Sequence, residues 1–149
     1  MAATENKSVG ATCAKVKLGS TYDGRQGLSY FEGISTKTVG SKAICMHLLT
    51  IPPGVRANAH LHENHETAIY IIISGNAEMW YGEQLENYMY FDPGDMLYIP
   101  AGVPHLPSNP SATVPATAVI ARTDPNEQES VVLRPDLDKL APAPGQTQS

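Results

Sequence analysis

Basic clusters, paired cysteines and long apolar runs are all scarce in this chain, and each scarcity removes a class of function. Ten Lys and Arg stand against fifteen Asp and Glu, for a formal net charge of −5, and no stretch gathers four or more basic residues. The electrostatic footprint of a nucleic-acid or anionic-membrane binder is therefore missing, and the expected partner is a small molecule. The two cysteines, Cys13 and Cys45, lie 32 positions apart without a CxxC pair, so two ordinary thiols are expected rather than a disulfide scaffold. No segment approaches the roughly 18 apolar residues of a membrane-spanning helix. Residues 1–20 hold no apolar block of signal-peptide length, and a cytoplasmic location is the expectation.

Helical periodicity is equally hard to find. Short runs rich in Val, Ile, Tyr and Thr recur instead, separated by Gly, Pro, Asn or Asp, a rhythm that predicts an all-β antiparallel sandwich or barrel. Strands are expected at 28–34, 42–51, 55–61, 67–74, 77–81, 89–91, 96–99, 105–108, 116–122 and 130–133. Pro53-Gly54 and Pro93-Gly94 put proline before glycine at turn centres, as a type II turn prefers. At 149 residues one domain is expected. We assign 1–17 to a flexible N-terminal segment, 18–139 to the barrel, and 140–149 (LAPAPGQTQS) to a disordered tail.

The chemistry concentrates in one stretch. HLHENHE, His60 to Glu66, carries three of the five histidines. On a strand, residues two apart share a face about 7 Å from one another, so His60 and His62 can converge on one ion. Continuing that parity reaches Glu66 and leaves His65 on the opposite face, although a loop at Glu63-Asn64 would break the count. Two imidazoles and a carboxylate suit iron(II) or manganese(II) and leave coordination positions open. Taken alone, the HxH pair also fits a solvated loop with chance histidines.

A second motif argues against that reading. Gly94, Pro100, Gly102, His105 and Asn109 stand in the spacing G(X)5PXG(X)2H(X)3N. Gly54, His60, His62 and Glu66 fit the start of G(X)5HXH(X)3-4E(X)6G, with eight residues instead of six before Gly75. Together they resemble the two signature motifs of the cupin superfamily, over about residues 40–122. The even difference would keep Glu66 on its face in a longer hairpin. The resemblance implies a small double-sheet β-barrel of the jelly-roll type. It also implies one divalent metal, manganese or iron first and nickel or zinc as further options, held by His60, His62, Glu66 and His105. His65 becomes a neighbour at the mouth, and Asn109 a structural hydrogen-bonder.

Other residues carry weaker expectations. Tyr70 shares parity with Glu66, which would put its hydroxyl inside the barrel as a catalytic acid, base or substrate ligand, or else as a core aromatic. His47 lies in a strand apolar on both faces, as a structural histidine or cavity lining. Arg56, the arginine nearest the HxH motif, is a candidate for a substrate carboxylate, or a solvent-facing side chain. Small metal-binding cupins include dioxygenases, decarboxylases, isomerases and cyclases, so the resemblance implies a metal-dependent enzyme acting on a small oxygen-rich substrate. The alternative is a non-catalytic ligand-binding or sensor module. A homodimer is the expected assembly.

Overall fold

In CMHLLTI and ATAVIAR every second side chain is buried, Cys45, His47, Leu49 and Ile51 in the first and Ala116, Ala118, Ile120 and Arg122 in the second. That period of two is the signature of a strand with one face on a core, and these two strands pair along their full length. The computed structural model describes residues 13–71, 75–126 and 130–146. Its strands are β1 (Tyr22–Asp23), β2 (Ser29–Ile34), β3 (Cys45–Ile51), β4 (His60–His62), β5 (Thr67–Ile71), β6 (Ala77–Tyr81), β7 (Asn87–Phe91), β8 (Met96–Ile99), β9 (His105–Ser108), β10 (Ala116–Arg122) and β11 (Val131–Leu133). A one-turn helix α1 (Thr36–Val39) follows β2, and a 3-10 turn (Asp138–Leu140) ends the described elements.

The strands form two antiparallel sheets, in the orders β1-β2-β3-β10-β5-β8 and β11-β4-β9-β6-β7. This is the jelly-roll arrangement expected from the sequence. Leu28, Tyr30, Leu49, Ile51 and Ile120 fill one part of the interior, and Ile71, Met79, Phe91, Leu97 and Ile99 fill another. Most expected strands recur within a few residues. The expected strand 55–61 shrinks to β4, preceded by a lone bridge between Arg56 and Ser108, and the end of the expected strand 67–74 lies outside the described residues. Both proline-glycine turns are present, with Gly54 and Gly94 at positive φ. The thiols of Cys13 and Cys45 are free, one exposed and one buried.

A third cluster lies on the far side of β6, because Trp80 alternates with the inward Ala77 and Met79. There Trp80 packs with Leu85, Leu106, Leu137 and Ala141. As far as it is described, the C-terminal end of the chain packs against this cluster through Leu137 and Ala141. Arg56 donates to the carbonyls of Asp138 and Ala141 at 2.8 and 3.1 Å. Gly145 N–H donates to the buried Glu78 carboxylate at 2.9 Å. Hydrogen bonds between this strap's backbone and the half-buried Arg56 and buried Glu78 side chains hold it in place. Residues 147–149 lie outside the described residues, as do 1–12 of the N-terminal segment.

Leu137, only 1 % exposed, therefore tests the strap. Leu137→Ala should cost about 2–5 kcal/mol, read by urea unfolding with Trp80 fluorescence as the reporter. A change under about 0.5 kcal/mol, typical of surface positions, would show that the strap does not pack.

Candidate metal centre

The site starts from one pair of opposed residues: β4 and β9 run antiparallel with His60 directly across from His105. Their rings sit 4.3 Å apart between centroids, and the ring of His62, two residues along β4, lies 5.3 Å from His60 and 5.6 Å from His105. One ligand atom from each imidazole falls within 4.8 Å of the other two, and all three side chains are buried. A turn locks the second motif onto the first. Gly102, at φ 79°, donates its N–H to the carbonyl of His62 at 2.8 Å, a left-handed backbone that glycine adopts without strain.

Each ring is oriented by its Nδ1. Those of His60 and His105 meet the carbonyls of Asn58 and Val103 at 2.7 and 2.9 Å, which requires the proton on Nδ1 and leaves Nε2 with a lone pair. The Nδ1 of His62 meets Ser130 Oγ at 3.0 Å, while its Nε2 is buried with no partner among the described residues. An orphaned imidazole nitrogen facing two others is costly unless something fills the gap. A divalent ion satisfies all three, so the donor set fits one. Burial and the Arg122 charge lower the proton affinity of all three rings, and His105 is brought to about 4. The rings are therefore neutral, as a metal ligand must be.

Glu66 is not brought to this cluster. It is exposed, and its carboxylate accepts from Tyr98 Oη. Asn64, at φ 60°, turns the chain between β4 and β5, so parity does not carry across the turn. The inward positions of β5 are Thr67, Ile69 and Ile71. Tyr70 shares the outward face and is 39 % exposed, so its hydroxyl does not reach the interior. His65 is also apart, its Nδ1 2.7 Å from the carbonyl of Thr123. Arg56 serves the C-terminal strap. Asn109 is fully buried and donates to the carbonyls of Ile51 and Val114, the structural role expected of it.

Two residues at the site went unnoticed in the sequence. Arg122, 4 % exposed, ends β10 and donates from Nε to Thr67 Oγ1 at 2.9 Å. Both line a cavity of about 50 Å³ with His60, His105, Gln26 and Tyr30, the rest of its wall being largely apolar. The signal was present in ATAVIAR, where the alternation of Ala116, Ala118 and Ile120 carries Arg122 inward. Proximity along the chain favoured Arg56 instead. His47 is buried edge-on to Tyr30.

The chain belongs to the cupin family, whose cupin domain model matches residues 47–121. No curated protein matches the sequence. Among solved structures, oxalate decarboxylase of Lactobacillus farciminis in a formate complex has a TM-score of 0.63 at 19 % identity, covering 76 % of this chain and 33 % of its own. The Bacillus subtilis oxalate decarboxylase, in a study of its Mn(II) centres, has a TM-score of 0.61 at 20 % identity, covering 80 % of this chain and 30 % of its own. A mutant of the latter enzyme has the same TM-score at 23 % identity, covering 71 % of this chain and 28 % of its own. This chain thus spans a third or less of these neighbours, and the likeness is one of fold. Among the described residues no helix is long and apolar enough to cross a membrane.

His47 gives the metal-free protein a pH dependence. Burial first, and the Arg122 charge second, lower it from 6.5 to about 3. Between those values the unfolded chain binds more protons than the folded one, so stability falls as pH drops from about 6.5 towards 3 and is flat above. Urea midpoints at about pH 7 and pH 4.5 should differ more for the wild type than for His47→Leu. Equal differences would show that His47 is not held neutral.

Proposed function

We propose that this chain is a metal-dependent enzyme acting on a small oxygen-rich substrate, with one divalent ion held by His60, His62 and His105. The observation that carries the reading is the convergence of three buried, neutral imidazoles with the Nε2 of His62 left without a partner. Manganese or iron is the first choice; manganese is also the metal named for the Bacillus subtilis neighbour. When bound, the ion would act as a Lewis acid with coordination positions open to oxygen donors. The chain's own contribution is orientation and exclusion. Nδ1 bonds to Asn58, Val103 and Ser130 fix each ring, and Ile69, Met79, Phe91 and Ile99 give the cavity an apolar wall. Decarboxylation of a small acid is the first reaction to assay, because oxalate decarboxylases share the fold.

A non-catalytic ligand-binding module is the second reading. It is favoured by the exposure of Tyr70, the candidate acid or base, which is 39 % exposed. Turnover of any carboxylic acid by the manganese-loaded protein would remove it.

Metal analysis of purified protein tests the ligand set. The wild type should bind one manganese or iron per chain, and His60→Ala or His105→Ala should bind none. Glu66→Ala and His65→Ala should bind as the wild type does, because Glu66 accepts from Tyr98 and His65 meets the carbonyl of Thr123. Ser130→Ala should weaken binding about tenfold, as loss of a group that orients a ligand does. Equal loss in Glu66→Ala would restore the carboxylate expected from the sequence. For assembly, we propose a homodimer that buries the exposed Met46, Tyr70, Met96 and Tyr98 on the outer face of the larger sheet. Light scattering should give twice the chain mass, and a monomeric mass would contradict it.

A further inference from the structure

The three imidazoles are not held alike. The Nδ1 atoms of His60 and His105 each meet a carbonyl two residues back in the chain, Asn58 at 2.7 Å and Val103 at 2.9 Å. The far ends of those two peptide groups differ. The peptide that carries the Asn58 carbonyl ends in the N–H of Ala59, which donates to Asp138 Oδ1 at 2.7 Å. The peptide that carries the Val103 carbonyl ends in Pro104, which has no N–H to donate. Asp138 stands 79 residues beyond Ala59 and reaches it on the C-terminal strap. The strap also satisfies the second polar group of Ala59, whose carbonyl accepts from the N–H of Arg134 at 2.8 Å. Arg56 in turn donates to the Asp138 carbonyl, which fixes where the carboxylate sits. Ala59 is fully buried, and in such surroundings each bond of a chain polarises the next.

We propose that Asp138 is a positioning residue for the metal centre, its carboxylate acting on His60 through the peptide group between Asn58 and Ala59. The inference rests on the metal reading above and adds to that site a residue of the C-terminal strap. The peptide group is planar and conjugated, so a carboxylate that accepts its N–H shifts electron density towards its carbonyl oxygen. That oxygen then accepts more strongly from the Nδ1–H of His60. The ring is held in one orientation, and its Nε2 becomes the stronger donor to an ion. The arrangement is a carboxylate–histidine–metal relay with one peptide group inserted. His105 has the same carbonyl contact without a carboxylate behind it and is the internal control.

The test compares Asp138→Asn and Asp138→Ala with the wild type, all as full chains. In the metal-free proteins the Nδ1–H proton of each ring is followed by NMR. The His60 signal should move upfield in Asp138→Asn, which keeps an oxygen acceptor and loses the charge, and further in Asp138→Ala, while the His105 signal stays in place. Manganese affinity, measured by competition with a chelator, should fall about tenfold in Asp138→Ala, the low end for loss of a group that orients a ligand. Asp138→Asn should recover part of that loss, and it carries the test if Asp138→Ala does not fold. An unmoved His60 signal in Asp138→Asn, equal movement of the His105 signal, or unchanged manganese affinity in both variants would overturn the inference and leave the metal centre standing. A wild type that binds neither manganese nor iron would overturn the metal reading, and the His60 signal would still decide whether Asp138 acts on the ring.

Discussion

The pairing of β4 with β9, which sets His60 opposite His105, is the constraint on which the site depends. A slip of one residue would send either side chain to the other face of its strand and disperse the cluster. The register is held from several directions. Gly102 bonds back to His62 from the turn that precedes β9, β11 pairs along β4 on its other edge, and β6 pairs along β9. Outside the barrel, the C-terminal strap closes over Trp80 and Leu106. The glycines and prolines of the second motif thus act on chemistry through backbone geometry, by bringing His105 to a strand that already carries two imidazoles.

Around that register the barrel creates a desolvated environment. Burial keeps the imidazoles neutral and therefore available as ligands, and the charge of Arg122 pushes in the same direction. A protein that gathers three buried imidazoles beside a small, largely apolar cavity is suited to holding a metal ion.

Much of this was legible in the sequence, and what was not has separate physical causes. Strand positions came from alternation, and the two motifs supplied His60, His62 and His105. Alternation is reliable within a strand. It failed for Glu66 and Tyr70 because it was carried through the turn at Asn64, where a left-handed residue resets which face is inward. The opposite error concealed Arg122, which an unbroken count along ATAVIAR places inside; distance along the chain drew attention to Arg56. Composition registers apolar content but not the bonds that Arg56 and Glu78 make to the backbone near the C-terminus.

The central claim is that three imidazoles, and no carboxylate from Glu66, hold the ion. Electron spin-echo envelope spectroscopy of the manganese-loaded protein counts coordinated imidazole nitrogens directly. The account predicts three, with a signal unchanged in Glu66→Gln. A count of two or fewer in the wild type, or a signal altered by that substitution, would contradict it.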